Sequence, residues 1–235
     1  MSFLLGEAIL HYLKRSKEAE IISFTSLGEE DVLPVSYLFR DLEAMPEIET
    51  RALDMAKGSI LDIGAGSGAH SLVLQERGFD VMALDSAPGA VECCQRRGVK
   101  KVVQSEILEF KGSSFDTIYL LMNGIGVAGR LSQLDSLLLH LKKLLNAGGQ
   151  ILLDSSDIRY MFDCDNNGKP ILPDEDGYYG DILFSLYYDG EYEPPFPWVY
   201  VDYDTLAIVA RRCGLVAEKV LDGPHFDYLA RLTPN

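Results

Sequence analysis

Two aspartates and three glycines are placed where they could handle a ligand. Gly64, Gly66 and Gly68 stand at alternate positions, Asp62 lies two residues before the first, and Asp85 follows it 21 positions on. Glycine adopts positive φ cheaply and has no side chain to keep a ligand from the main chain, so such a run suits a turn that a ligand approaches. The residues after the turn become helical in pattern. A helix start points free N–H groups and a partial positive charge at whatever rests over the turn. A carboxylate as close as Asp62 is an awkward neighbour for a pyrophosphate and a useful one for a cationic ammonium. The chemistry on offer is the cradling of a small ligand.

The elements that position these residues alternate. Apolar runs predict strands over 59–63, 80–85, 101–104, 115–122 and 150–154, and continuous apolar strands are those of a sheet buried on both faces. Between them, helical periodicity covers 71–77, 87–97 and 131–145, with Gly78 ending the first, Ser86 capping the second and Pro88 in its first turn. Asn146 to Gly149 reads as a turn. This β–α alternation predicts a parallel sheet with helices on both faces. Further on come a turn-rich loop over 163–170, β character over 179–188, a proline-broken stretch over 192–197 and a hairpin arm over 198–202. A helix over 204–213, capped by Asp202 or Asp204 and ended by Gly214, precedes closing strands over 215–221 and 226–232. The short turn between those two makes them antiparallel. The fold class is α/β: a doubly wound, mostly parallel seven-stranded sheet with one antiparallel strand near the C-terminus.

Nearly sixty residues precede the first of these strands. Residues 1–20 are helical in pattern, 23–31 polar and loop-like, 34–40 short and helical or extended, and 47–57 helical, with Pro46 at the first turn and Gly58 at C′. The domain reading is a helical cap over 1–57 and a ligand-binding domain over 58–235 carrying a β-rich insertion at 157–203. The cap either covers a sheet face or forms a lid that brings Tyr12, Tyr37 and Arg40 to the ligand.

Composition narrows the partners. The 235 residues carry a net charge of −15, which repels phosphate backbones and anionic membranes over about 8 Å at physiological salt. The densest basic stretch is Lys14-Arg15-Ser16-Lys17, read as a solvated helix face. The four cysteines, Cys93, Cys94, Cys164 and Cys213, form no CxxC pair and read as reduced thiols, with no metal site. The N-terminus is charged too soon for a signal peptide, and no apolar run approaches the roughly 20 residues of a membrane span. The expectation is a soluble, cytoplasmic protein.

The loop can be forced onto a dinucleotide-binding pattern, Gly64-x-Gly66-x-x-Ala69 with Asp85 for a ribose. Asp62, the glycine spacing and the antiparallel closing pair oppose it. Together the motifs resemble the class I S-adenosylmethionine-dependent methyltransferases. The resemblance rests on Ile60-Leu61-Asp62-Ile63-Gly64-Ala65-Gly66-Ser67-Gly68, on Val81-Met82-Ala83-Leu84-Asp85-Ser86-Ala87-Pro88, on Phe115-Asp116-Thr117-Ile118 and on the turn Leu144 to Gln150. It covers roughly 58–155, and the closing strands extend it to the C-terminus.

The resemblance implies a Rossmann-like methyltransferase fold, S-adenosyl-L-methionine as cofactor, and methyl transfer by in-line displacement. It implies that Gly64, Ala65 and Gly66 lie against the methionine part, and that Asp62 holds the loop and the cofactor ammonium. Asp85 would accept the ribose hydroxyls, Ser86 and Ala87 flank the adenine, Glu106 accept its amino group and Ile107 pack on its face. Met122 and Asn123 would stand where the crevice opens to the methyl acceptor. An NAD-linked oxidoreductase and a non-catalytic S-adenosylmethionine-binding protein remain the alternatives.

The acceptor is less legible. Displacement at a sulfonium needs alignment, and a base only if the acceptor must lose a proton. The family's amino-methylating nucleic-acid enzymes carry an Asn/Asp-Pro-Pro-aromatic tetrad after the fourth strand; here Asn123-Gly124-Ile125-Gly126 stands there. That and the acidic charge point to a small-molecule acceptor, with neither nucleic acid nor membrane as partner. Asp157 and Tyr160, leaving the end of the fifth strand, could orient it. His11 and His225 could reach it as bases, His70 packs near the cofactor, and His140 is structural. The tyrosine-rich stretch 178–203 either shapes an acid-lined aromatic pocket or forms a hairpin that pairs two copies as a homodimer.

Overall fold

The computed structural model describes residues 3–15, 19–172 and 177–235. The chain begins with α1 (Phe3–Arg15), the strands β1 (Glu20–Thr25) and β2 (Glu30–Pro34), two 3-10 turns (Val35–Phe39 and Leu42–Ala44) and α2 (Glu47–Asp54). There follow β3 (Ser59–Ile63), α3 (Ala69–Glu76), β4 (Asp80–Asp85), α4 (Pro88–Arg97) and β5 (Lys101–Gln104). Next come β6 (Phe115–Leu120), a 3-10 turn (Gly124–Ala128), α5 (Leu131–Lys143), β7 (Leu145–Ser156) and a 3-10 turn (Ile158–Met161). The last third holds β8 (Asp181–Tyr188), β9 (Glu191–Tyr192), β10 (Phe196–Val199), α6 (Tyr203–Arg212), β11 (Leu215–Asp222) and β12 (Asp227–Pro234).

Seven strands form the main sheet in the order β11-β12-β7-β6-β3-β4-β5. Strands β3 to β7 run parallel, and β12 is antiparallel to both its neighbours. Alternate residues of the central strands feed opposite layers, as the pleat requires. Ile118, Leu120, Ile151 and Leu153 pack under Leu134, Leu138 and Leu141 of α5 and Leu206 and Val209 of α6. Tyr119 and Leu152 face the other way, onto Ile48, Ala52 and Leu53 of α2 and Leu74 of α3. The buried Tyr119 hydroxyl donates to the carbonyl of Ala52 at 2.9 Å, so the ring fills the layer without stranding a polar group.

A second, antiparallel sheet joins the N-terminal segment to the strands between β7 and α6. Its order is β10-β8-β1-β2, with β9 on β8. Here the N-terminal segment departs from the expected helical cap: the polar stretch 23–31 belongs to a hairpin, with Gly28 at φ +82° in its turn. The reason is tertiary. Only Ile21 of β1 is fully buried, so the hairpin has little apolar signal of its own, and it is held by pairing with β8 some 160 residues away.

Three local expectations change and a fourth is resolved. Helix α2 ends at Asp54, and Gly58, at φ +58°, instead turns the chain into β3 against Asp116. Residues 146–149 are a bulge inside β7, where the pairing steps from Phe115↔Leu145 to Thr117↔Gln150. The N-cap of α4 is Ala87, one residue beyond the expected Ser86, and its N–H is taken by Asp85. Asp202, not Asp204, caps α6, accepting from the Thr205 amide at 3.0 Å. Helix α1 matches the sequence pattern over 3–15, while Met1, Ser2 and the Ser16, Lys17 and Glu18 portion of the expected helix and basic stretch lie outside the described residues. Among the described residues no helix is long and apolar enough to cross a membrane.

Helix α1 is seated on α4 by two glycines. A Cβ on Gly89 would lie 2.3 Å from the carbonyl oxygen of Gly6, and a Cβ on Gly6 2.7 Å from the Cβ of Ala87. The first clash is with main chain and cannot be relieved by a rotamer change. Gly89→Ala is therefore expected to cost about 1–3 kcal/mol, the range for overpacking, and to loosen Leu5 and Ile9, which face the central cavity. Urea unfolding checks this; an unchanged midpoint and slope would refute the fixed docking of α1.

Candidate active site

A cavity of about 360 Å³ opens at the C-terminal ends of β3, β4 and β6, beneath the second sheet. Its floor is the glycine turn. Gly64, Gly66 and Gly68 have φ of +71°, +57° and +82°, the left-handed region in which a side chain would be strained. The amides of Gly64 and Ala65 donate to the carbonyl of Leu84 at 2.8 and 3.2 Å, which ties the turn to β4. Gly64, Ala65 and Gly66 all face the cavity.

Asp85 is 1% exposed. One carboxylate oxygen accepts from Gly66 N–H and the other from Ala87 N–H, each at 2.9 Å. Burial pushes its carboxyl up, against the pull of those two amides. Asp62, also buried, accepts from the Ser71 hydroxyl at 2.6 Å; burial pushes it up too, opposed by His70 and Ser71. The division of labour thus differs from expectation: Asp85 holds the glycine turn, and Asp62 anchors the first turn of α3. Both still line the cavity, with Ser86, Glu106, Ile107 and Met122. Ile107 is buried and Glu106 exposed at the rim.

Beyond β6 the chain makes an unusual corner. Met122 and Asn123 both have positive φ, +59° and +54°, a left-handed pair that costs about 1–2 kcal/mol per non-glycine residue. Asp154 holds it by accepting the Asn123 amide at 2.9 Å. The Asn123 side chain turns away from the cavity, toward Ser155 at 2.8 Å. Asn123 is thus a framework residue and not part of the cavity wall, whereas Met122 is.

The second sheet forms the roof. Cross-strand partners share a face, and the pairs Ile21↔Leu33, Ser23↔Asp31, Ser23↔Leu186 and Phe184↔Phe196 all face the cavity. Trp198 and Tyr200 continue this wall. Trp198 lies on the Asn123-Gly124-Ile125-Gly126 corner, where a Cβ on Gly126 would sit 2.1 Å from the indole nitrogen.

Of Tyr12, Tyr37, Arg40, Asp157, Tyr160, His11 and His225, only Arg40 lines the cavity. Tyr12 packs on Phe39, centroids 4.7 Å apart. Tyr37 is exposed beneath the Arg40 guanidinium. Asp157 is taken by Arg159 and by the Tyr179 hydroxyl at 2.9 Å. Tyr160 stacks on Phe226 at the surface. His11 meets Tyr188, and His225 sits on the exposed turn before β12. Tyr178 and Tyr179 both donate to Asp202, so the front of the tyrosine-rich stretch braces α6.

What the sequence did not reveal is a buried ionic chain beside the glycine turn: Arg40 pairs with Glu49, and Glu49 with His70 at 2.6 Å. Burial raises the Glu49 carboxyl, but the bonds and charges of His70 and Arg40 outweigh it and hold it low. In sequence Glu49 is one of two acids in the first turn of a short amphipathic helix, with nothing to mark it. Trp198 and Phe184 lie in the stretch 178–203, for which an aromatic pocket was one of two expectations, and only the strand pairing shows which face they take.

The residues present fit an amino-acid-bearing nucleoside. A left-handed glycine floor gives main-chain access, a buried carboxylate stands at the end of β4, and Arg40 Nε is a buried donor without a partner. A family model described as a methyltransferase domain matches residues 61–153. A cypemycin N-terminal methyltransferase from a Streptomyces species is 26% identical over 103 residues, 42% of each chain. A solved S-adenosylmethionine-dependent methyltransferase from Bacteroides fragilis, in complex with S-adenosyl-L-homocysteine, is 43% identical over 98% of this chain and 94% of that one, with a TM-score of 0.90. The CcbJ methyltransferase from Streptomyces caelestis shares the fold at 14% identity and a TM-score of 0.65, over 81% of this chain and 90% of its own. The chain belongs to the class I S-adenosylmethionine-dependent methyltransferases.

Proposed function

We propose that this enzyme methylates a small molecule with an apolar or flat body and an amine, received between the glycine turn and the roof. The observation that carries the reading is the roof itself. Strands β1, β2, β8 and β10 present one alternating face of Ile21, Leu33, Phe184, Leu186, Phe196 and Trp198 to the cavity. Such a wall desolvates a small apolar body, and it gives no track for a polymer. Asp31 and Ser23, paired across β1 and β2 on the same face, offer a carboxylate and a hydroxyl to an ammonium. The Streptomyces relative is named for an N-terminal acceptor, which supports nitrogen.

In this reading Asp85 takes the ribose hydroxyls, Ile107 the adenine face, Glu106 its amino group, and Asp62 with Gly64 to Gly66 the amino-acid end. S-adenosylmethionine, when bound, supplies an electrophilic methyl on a sulfonium whose leaving group is already activated. The chain's own work is to align the acceptor and exclude water. The roof residues do both, and the Asn123 corner holds Met122 in the wall beside the acceptor.

Release of S-adenosyl-L-homocysteine is the test, with pooled small amines, a peptide pool, DNA and RNA as separate acceptors. Release with amines supports the proposal; release with a polymer alone overturns it. Gly126→Ala tests the wall directly. The added Cβ must push the indole of Trp198 aside, and a shift of about 1 Å in a positioning group can cost on the order of 100-fold. Acceptor kcat/KM is expected to fall while S-adenosyl-L-homocysteine affinity holds; unchanged kcat/KM would remove Trp198 from the acceptor wall.

A further inference from the structure

The last strand of the roof is fastened to the main sheet through one buried hydroxyl. Ser155 lies near the end of β7 and is fully buried. Its Oγ donates to Oδ1 of Asn123 at 2.8 Å and accepts the Val201 N–H at 2.9 Å. A serine in so apolar a strand is tolerated when its hydroxyl both gives and takes a hydrogen bond. Nδ2 of Asn123 reaches the Val199 carbonyl at 3.5 Å. The residues on either side of Tyr200 are thus held by side chains from β7 and from the corner after β6.

This tie crosses a seam that strand pairing leaves open. Strand β10 pairs with β8, whereas β6 pairs with β3 and β7. Beyond Val199 the ladder of β10 ends, so the buried Val201 N–H depends on Ser155 for its acceptor. The corner is fixed from the other side as well, since Asp154 accepts the Asn123 N–H at 2.9 Å. Met122 stands in the cavity wall on one side of the seam, and Trp198 and Tyr200 on the other. Trp198 only rests on the corner, against Gly126; the polar tie is what can hold it at a set distance.

We propose that Ser155 and Asn123 are positioning residues for the methyl acceptor: they latch the segment from Val199 to Val201 onto the ends of β6 and β7, and so set the gap between Met122 and the Trp198–Tyr200 wall. The proposal rests on the reading of that wall as the acceptor's. It separates the two halves of the cavity. The glycine turn and Asp85 do not depend on the latch, so loosening it disturbs the acceptor end and spares the cofactor end, without altering a residue that touches either ligand.

Amide hydrogen exchange of the full chain, read by nuclear magnetic resonance, tests it. Ser155→Ala removes the acceptor of the Val201 N–H, so that amide speeds up whatever the role of the serine. The Tyr200 N–H keeps its own acceptor, the Gly180 carbonyl at 2.9 Å. Its exchange is expected to rise about 10–100-fold, because the segment opens once the latch is gone. Amides of β3 and β4 report the stability of the whole chain; a Tyr200 change no larger than theirs would make Ser155 a filler of one buried donor and overturn the proposal. Ser155→Thr keeps the hydroxyl and should restore slow exchange at Tyr200. Asn123→Gly removes the other half of the latch while relieving a left-handed backbone, and should free the Tyr200 amide in a stably folded chain. With the amine that gives the fastest release in the pooled screen, Ser155→Ala and Asn123→Gly should each lower kcat/KM about 10–100-fold, with calorimetric affinity for S-adenosyl-L-homocysteine unchanged. A freed Tyr200 amide with unchanged kcat/KM would leave the latch standing and overturn the acceptor reading of the wall instead.

Discussion

Asp154→Asn is expected to stabilise the protein at pH 8 and to have a much smaller effect at pH 5. Oδ1 of Asp154 is shut off from solvent and has no hydrogen-bond partner. Burial is the main cause that pushes its carboxyl up to about 7; the Glu49 charge adds to this, while the Asn123 and Met122 amides and His70 oppose it. An unfolded aspartate titrates near pH 4. The folded carboxyl therefore keeps a proton that the unfolded one has released. Its contribution is whole below about pH 4, declines as pH rises, and is lost above about pH 7. Three units at about 1.4 kcal/mol each amount to roughly 4 kcal/mol. Asparagine cannot ionise, and its oxygen still accepts the corner amides. The gain over wild type should grow between pH 4 and 7 and then level off. Denaturant unfolding of both proteins across this range measures it, and a difference that does not vary with pH would contradict the assignment.

Asp85→Ala should reduce affinity for S-adenosyl-L-homocysteine by roughly 1–3 kcal/mol, the cost of leaving buried polar partners unpaired. The geometry adds a second effect, visible without ligand. The carboxylate accepts both Gly66 N–H and Ala87 N–H, so alanine strands two amides and releases Gly66 from the end of β4, leaving the turn held to β4 by the Leu84 carbonyl alone. The apo protein should lose stability by a similar amount, about 1–3 kcal/mol. Calorimetric titration and apo unfolding separate the two. Unchanged affinity would show that the ribose contact lies elsewhere.

The sheet was readable because its strands are buried on both faces. Ser59–Ile63 and Asp80–Asp85 have the limits expected from the sequence, since apolar runs ending in glycine or acid leave few other registers, and Lys101–Gln104, half-exposed at the sheet edge, has them too. The glycine turn and its two aspartates were legible for the same reason: their spacing along one chain segment is their spacing in space. The roof was not. Ser23 and Leu186 are partners on one face, yet nothing in either neighbourhood announces the other, and a two-sided, half-exposed hairpin such as Glu20 to Pro34 carries little periodic signal. Arg40, Glu49 and His70 join three segments in the same way. Asp157 and Tyr160 failed for a different reason: they do leave the expected end of β7, but Arg159, Tyr179 and Phe226 draw them to the outer surface.

Trp198 is the chain's single tryptophan, and it stands in the cavity wall on the Gly126 corner. Its emission is therefore a native optical reporter of one place only. Filling the acceptor end changes the polarity around a single indole, and occupancy can be followed by intrinsic fluorescence with no label and no turnover. Acceptors can be ranked in this way before any product is known.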